Sequence, residues 1–219
     1  MIKKTFWILL VIMAILIGLY PFMYFIIDRN FGLLQTKSNY LLTNTFWNLG
    51  FYTHIILGGL ALIIGWTQFS PKLRITRLKL HRQVGKVYVI SALLSAMAGL
   101  YISLFATGGI IASLGFGCLG VIWFYITLMA YIHIKNKRVD VHQQLMVYSY
   151  AACFSAVTLR IWLPLLIILF QDFTKAYLWV AWLCWIPNLL VAFILVKKLQ
   201  RHTATSSRVL EYHAENERR

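Results

Sequence analysis

The chain has 219 residues, of which 60% are hydrophobic and only 12% charged, yet its formal charge is +15. Apolar runs this long cannot all be hidden inside a soluble domain of this size, which excludes that class and leaves an all-α polytopic transmembrane bundle. The basic residues stand in short stretches beside the apolar runs, a placement that suits anionic lipid headgroups and not nucleic acid.

Six spans are expected, at about 5–27, 45–69, 84–107, 110–133, 143–170 and 176–196, each long enough to cross roughly 30 Å of hydrocarbon. The first opens MIKKTFWILL like a secretory leader, but its apolar part runs from Phe6 to Ile27 with no small-x-small cleavage site, so a retained helix is expected. The second, from 45 to 69, carries a stripe of small residues around one histidine. A tight hairpin at TGGI, residues 107–110, joins the third and fourth spans. Ser113, Gly117 and Gly120 mark a close helix contact on the fourth. The fifth has length to spare for tilt or for a kink near Pro164. Cys118, Cys153 and Cys184 all lie in apolar stretches without a CxxC pair and read as packing residues. Residues 1–196 form one six-helix domain, and 197–219 form a polar tail that is expected to be a short surface helix or disordered.

Lys and Arg alternate between the two sets of flanks. Lys3, Lys4, the run Lys72, Arg74, Arg77, Lys79, Arg82 and Lys86, the trio Lys135, Lys137 and Arg138, and the tail share one side. Arg29, Lys37 and Lys175 occupy the other. The positive-inside rule then places both termini in the cytoplasm.

At about 100° per residue, Gly50, His54, Gly58, Ala61 and Gly65 fall at roughly 0°, 40°, 80°, 20° and 60°, so His54 is the one large group on a small-residue face. Either another helix packs there and the imidazole hydrogen-bonds across, or the stripe makes room for a flat ligand. On span five, Ser149, Cys153, Ala156 and Arg160 share one direction with His142. Arg160 sits about 27 Å beyond His142 along the helix, and His54 about 13 Å in from the outer edge of its span, so both fall in the outer half. No Asp or Glu lies inside any span. Arg160 therefore either snorkels or meets a neutral acceptor, water, a lipid phosphate or a bound anionic or quinone-like ligand. Tyr52 and Ser149 complete the candidate ligand set.

Three more histidines, His81, His133 and His142, share the inner level. They are candidates for haem b or a metal, with wet interfacial residues as the plain alternative. Arg77, Lys79, Arg82 and Lys86 beside His81 suit lipid headgroups or another anion. The chain has no HExxH, no CxxCH and no paired intramembrane carboxylate, so no reaction type is legible.

The blocks HIILGGLALIIGWTQF, LKLHRQVGKVYVISAL and VDVHQQLMVYSYAACFSAVTLRIWLP resemble a bacterial membrane-protein family known as domain of unknown function 2306, over roughly residues 46–170. The specific parts are LHRQVGKVY, from Leu80 to Tyr88, and the pattern from His142 through SYA to Arg160. Where the family often has Arg, this chain has Gln143 and Tyr148, which argues against a cationic cluster at that end. The resemblance implies a multi-pass protein of the bacterial inner membrane, and the histidines are loosely similar to those of b561-type cytochromes. Three functions are carried forward: a cavity for haem or a quinone-like ligand in a redox role, a small-molecule transporter or permease component, and a non-catalytic assembly subunit. Each is compatible with a homo-oligomer.

Overall fold

The structure, a computed structural model, describes residues 2–27 and 32–216, with side chains described over 4–27 and 32–201. The first span joins α1 (Ile2–Leu19), a 3-10 turn at Tyr20–Phe22 and α2 (Met23–Ile26). Pro21 sets the turn, since it lacks an N–H and fixes φ. A second 3-10 turn (Gly32–Thr36) and α3 (Asn39–Thr43) lead into α4 (Thr45–Gly65), whose start is capped by the Asn44 side chain accepting from Trp47 N–H at 3.0 Å. Then follow α5 (Pro71–Thr76), α6 (Leu78–Ser103), α7 (Ile110–Lys135), α8 (Val139–Cys153), α9 (Ser155–Phe170), α10 (Phe173–Leu183) and α11 (Ile186–Asn216).

Among the described residues, six segments are long and apolar enough to cross a membrane: 4–26, 45–69, 78–103, 110–135, 139–170 and 173–201. The third begins six residues before its expected start and ends four before its expected end. The hairpin between the third and fourth spans turns on Gly108 and Gly109, at φ +96° and +70°, backbone that β-carbon-bearing residues rarely adopt. The polar tail forms no helix of its own, because α11 carries the last span on to Asn216.

Spans five and six are each two helices. The break in span five falls at Phe154, ten residues before Pro164, and α9 runs through that proline unbroken. Tilt and a kink near Pro164 are the two uses expected for the spare length of span five, and no helix break falls at the proline, which stands well inside α9. The break in span six, at Cys184 and Trp185, does lie just before a proline, Pro187, which sits in the first turn of α11 where its missing N–H is harmless.

The break in span five shapes the bundle. In the half away from the basic loops, α1, α4, α6, α7, α10 and α9 neighbour one another in a ring that closes from α9 back to α1. In the other half α8 fills the centre, packed on α7, α11 and α4. There the Ser149 hydroxyl is hydrogen-bonded to Tyr88 Oη at 2.9 Å and Thr127 Oγ1 at 2.7 Å, tying α8 to α6 and α7. Tyr150 Oη donates to the Leu62 carbonyl of α4 at 3.1 Å. Beyond Phe154 the chain steps outward to the rim, and the centre of the ring is left open. Large apolar side chains such as Leu9, Leu16, Ile90 and Leu190 cover the outside of the bundle, the surface a lipid phase requires.

Candidate functional site

The open centre is a cavity of about 470 Å³, inside the range of small-molecule sites. His54, Gly58 and Phe51 of α4, Gly99 and Ser103 of α6, and Arg160, Ala156 and Ser155 of α9 line it. Tyr20 and Tyr24 from the first span, Trp47, Trp123, Tyr177 and Cys184 complete its aromatic and small walls.

His54 is held by α6. Its Nδ1 donates to the Ser95 carbonyl at 2.9 Å, while Ser95 Oγ donates to the His54 carbonyl at 2.8 Å. A carbonyl can only accept, so the proton of the neutral ring sits on Nδ1 and Nε2 keeps its lone pair. Two glycines make the arrangement possible: a Cβ on Gly99 would meet His54 Nδ1 at 2.7 Å, and one on Gly58 would meet Ser95 Oγ at 2.9 Å. Of the two causes weighed for the small-residue stripe, helix packing with a hydrogen bond across it operates. The stripe packs on α6 through Gly50, Gly58 and Ser95, and the histidine also borders the cavity.

Arg160 curls along its own helix, donating from Nη1 to the Ala156 carbonyl at 2.9 Å, with Cζ 4.4 Å from the centre of the Tyr20 ring. That is cation–π range. It lines the same cavity as His54, although the two come from spans two and five.

The segment 32–44 caps the cavity. Leu34 is 2% exposed among Tyr24, Trp47 and Phe51, and Leu33 and Lys37 face the void. The cap is pinned to the α6–α7 turn: Lys37 Nζ donates to the Phe105 carbonyl at 2.5 Å and to Thr107 Oγ1 at 3.0 Å, and Thr36 and Thr107 hydroxyls share a 2.9 Å bond. Burial pushes the Lys37 ammonium down to about 8, so it remains charged at neutral pH.

At the floor the two helix breaks lie side by side. Thr158 Oγ1 donates to the Cys184 carbonyl at 2.5 Å, and Asn188 Nδ2 donates to Cys184 and Ala151 carbonyls at 3.1 and 3.3 Å. Carbonyls released by the interruptions in spans five and six are thereby satisfied inside the protein, as lipid surroundings demand.

Other candidates lie elsewhere. Ser149 is fully buried in the Tyr88–Thr127 network, and Tyr52 packs its ring on Phe25 and Phe51; neither lines the cavity. His142 Nδ1 donates to the Ala130 carbonyl at 2.8 Å, whereas the Nδ1 atoms of His81 and His133 are buried with no partner among the described residues. None of the three lines the cavity, and among the described residues no three His, Cys, Asp or Glu form a group that could hold a metal. Arg77, Lys79, Arg82 and Lys86 are exposed at the opposite end of the bundle. Lys37, Tyr20, Tyr24, Trp47 and Gly99 escaped sequence reasoning. Lys37 alone left a signal, as one of few cations on its side.

The family described as Predicted membrane protein (DUF2306) matches residues 51–196. The chain belongs to the DUF2306 family. The matched region includes His54, Gly58, Gly99, the break at Phe154 and Arg160, while Tyr20, Lys37 and Trp47 stand before it. No curated protein and no solved structure matches the chain.

Proposed function

We propose that this DUF2306 protein, set in a bacterial inner membrane with both termini and its basic loops in the cytoplasm, binds a small quinone-like ligand within the bilayer as part of redox metabolism. The observation that carries the reading is that His54 and Arg160, from different spans, line one capped cavity with aromatic walls. Arg160 has donors for a carbonyl oxygen, and the lone pair of His54 Nε2 can accept a hydrogen bond from a ring hydroxyl. Exposed Arg77, Lys79, Arg82 and Lys86 would rest against anionic headgroups.

A transporter or permease component is the second reading, favoured by the paired breaks in spans five and six. Interrupted helices meeting at a buried site are what substrate-binding transporters use. The assembly-subunit reading loses its motive, because the glycines are engaged in internal contacts with α1, α6 and α8. Haem b at His81 and His142 stays outside the proposal, since neither residue borders the cavity. A Soret band lost in His142→Ala and kept in His54→Ala would reinstate it.

The test is a titration of nanodisc-embedded protein with a short-chain ubiquinone or menaquinone analogue, read by quenching of tryptophan fluorescence. Wild type should saturate, Arg160→Leu should lose binding, and His54→Gln should weaken it by about tenfold. Quenching that stays linear with quinone, as partitioning alone would give, sinks the quinone reading.

A further inference from the structure

Among the described residues, two cationic side chains line this cavity, Arg160 in its wall and Lys37 in its cap, and no Asp or Glu does. The carboxylates with described side chains are Asp140 and Asp172. Asp140 stands at the first turn of α8, at the far end of the bundle, and Asp172 is engaged as the cap of α10, accepting from Lys175 N–H at 2.8 Å. Everything that holds the two cations among the described residues is formally neutral: a carbonyl and a tyrosine ring for Arg160, a carbonyl and a threonine hydroxyl for Lys37. The guanidinium spends one of its five N–H donors on Ala156.

We propose that the cavity also takes an anionic amphiphile, a carboxylate or phosphate head held by Arg160 under Lys37, with an apolar body among Phe51, Tyr177, Leu159 and Leu163. The proposal rests on the reading of this cavity as a ligand site and adds to the quinone a second ligand class that would compete with it there. Charges set in a low-dielectric interior are costly until they are paired, and a neutral quinone offers acceptor oxygens without supplying the missing charge. An anion supplies both. The walls suit an apolar remainder of the ligand, because among the described residues, apart from the cations, His54, the thiols of Cys153 and Cys184 and a few hydroxyls, they are aromatic, aliphatic or glycine. The behaviour of Lys37 agrees: burial depresses its ammonium, with no negative charge among the described residues to offset it.

The experiment uses full-length protein in nanodiscs of zwitterionic phosphatidylcholine, with decanoate and decanol as probes that differ only in the head group. Binding is read as a shift in thermal midpoint and as adducts in native mass spectrometry. Decanoate should bind saturably and about tenfold or more tighter than decanol. Arg160→Gln should erase that preference, and Lys37→Gln, at a cap site outside the spans, should reduce it in a protein that still elutes as the folded species. In a second arm, nanodiscs doped with phosphatidylglycerol should stabilise wild type more than Arg160→Gln if the anion is a lipid headgroup; stabilisation by decanoate alone assigns it to a free amphiphilic acid. Equal binding of decanoate and decanol overturns the anion inference and leaves the ligand site standing. No saturable binding of decanoate, decanol, phosphatidylglycerol or the quinone analogue overturns both.

Discussion

His54 owes its position to a residue that is absent: Gly99 has no Cβ, and the imidazole occupies the room this leaves. Gly99→Ala should push the ring off the Ser95 carbonyl at a cost of about 1–3 kcal/mol, typical of overpacking, and weaken ligand binding in step; thermal unfolding in detergent beside a binding titration checks both. Ser95→Ala removes one hydrogen bond to the His54 backbone and should cost only about 1 kcal/mol. Lys37 adds a pH dependence to the site. Its ammonium, at about 8 without ligand, is charged below that pH, and a bound anion raises the value by favouring the charged form. Decanoate affinity should therefore be level below about pH 8 and fall as pH rises through it. His54, Arg160, Tyr20, Tyr24 and Tyr177 border the same void, so the control is Lys37→Gln, whose profile should be flat across that interval.

Among the elements, the step from α8 to α9 decides the most. While α8 stays central it supplies the Tyr88–Ser149–Thr127 network and the bond from Tyr150 to Leu62, and these hold three neighbouring helices. Once α9 moves to the rim, the exposed carbonyls at the step need partners, and Thr158 and Asn188 provide them. Asn188→Leu should cost about 1–3 kcal/mol because it strands carbonyls with no water to replace the donor. Thr158→Val should cost somewhat less, as Asn188 still reaches Cys184; chemical or thermal unfolding of the two variants ranks them, and equal stability to wild type in both would show the breaks need no cross-brace. On the other side of the ring, α1 approaches α4 so closely that a Cβ on Gly59 would sit 2.5 Å from the Gly18 carbonyl oxygen. Backbone cannot yield as a side chain would, so Gly59→Leu should separate the two helices and open the cavity wall.

For the whole molecule, the alternation of charge predicts that reporter fusions after Lys72, Asn136 and Gln200 report cytoplasm and those after Gln35, Gly108 and Phe173 the far side. A reversed pattern would place the capped cavity on the cytoplasmic side. The number of spans, their approximate ends, the hairpin at Gly108 and the family were legible in the sequence, because each depends on local composition: a run is apolar or it is not, and two adjacent glycines permit a turn whatever surrounds them. His54 and Arg160 stood out for the same reason, as polar groups in apolar runs. What the amino-acid order did not reveal is where span five breaks, since no proline or glycine marks Phe154 and the step is fixed by how α8 packs on α4, α6 and α7. Nor did it reveal the cap, whose anchoring bonds join Lys37 to Phe105 and Thr107, residues about seventy positions away. Local hydrophobicity sorts residues into membrane and water; only the competition among helices for the centre of the bundle determines which one withdraws and leaves a cavity behind it.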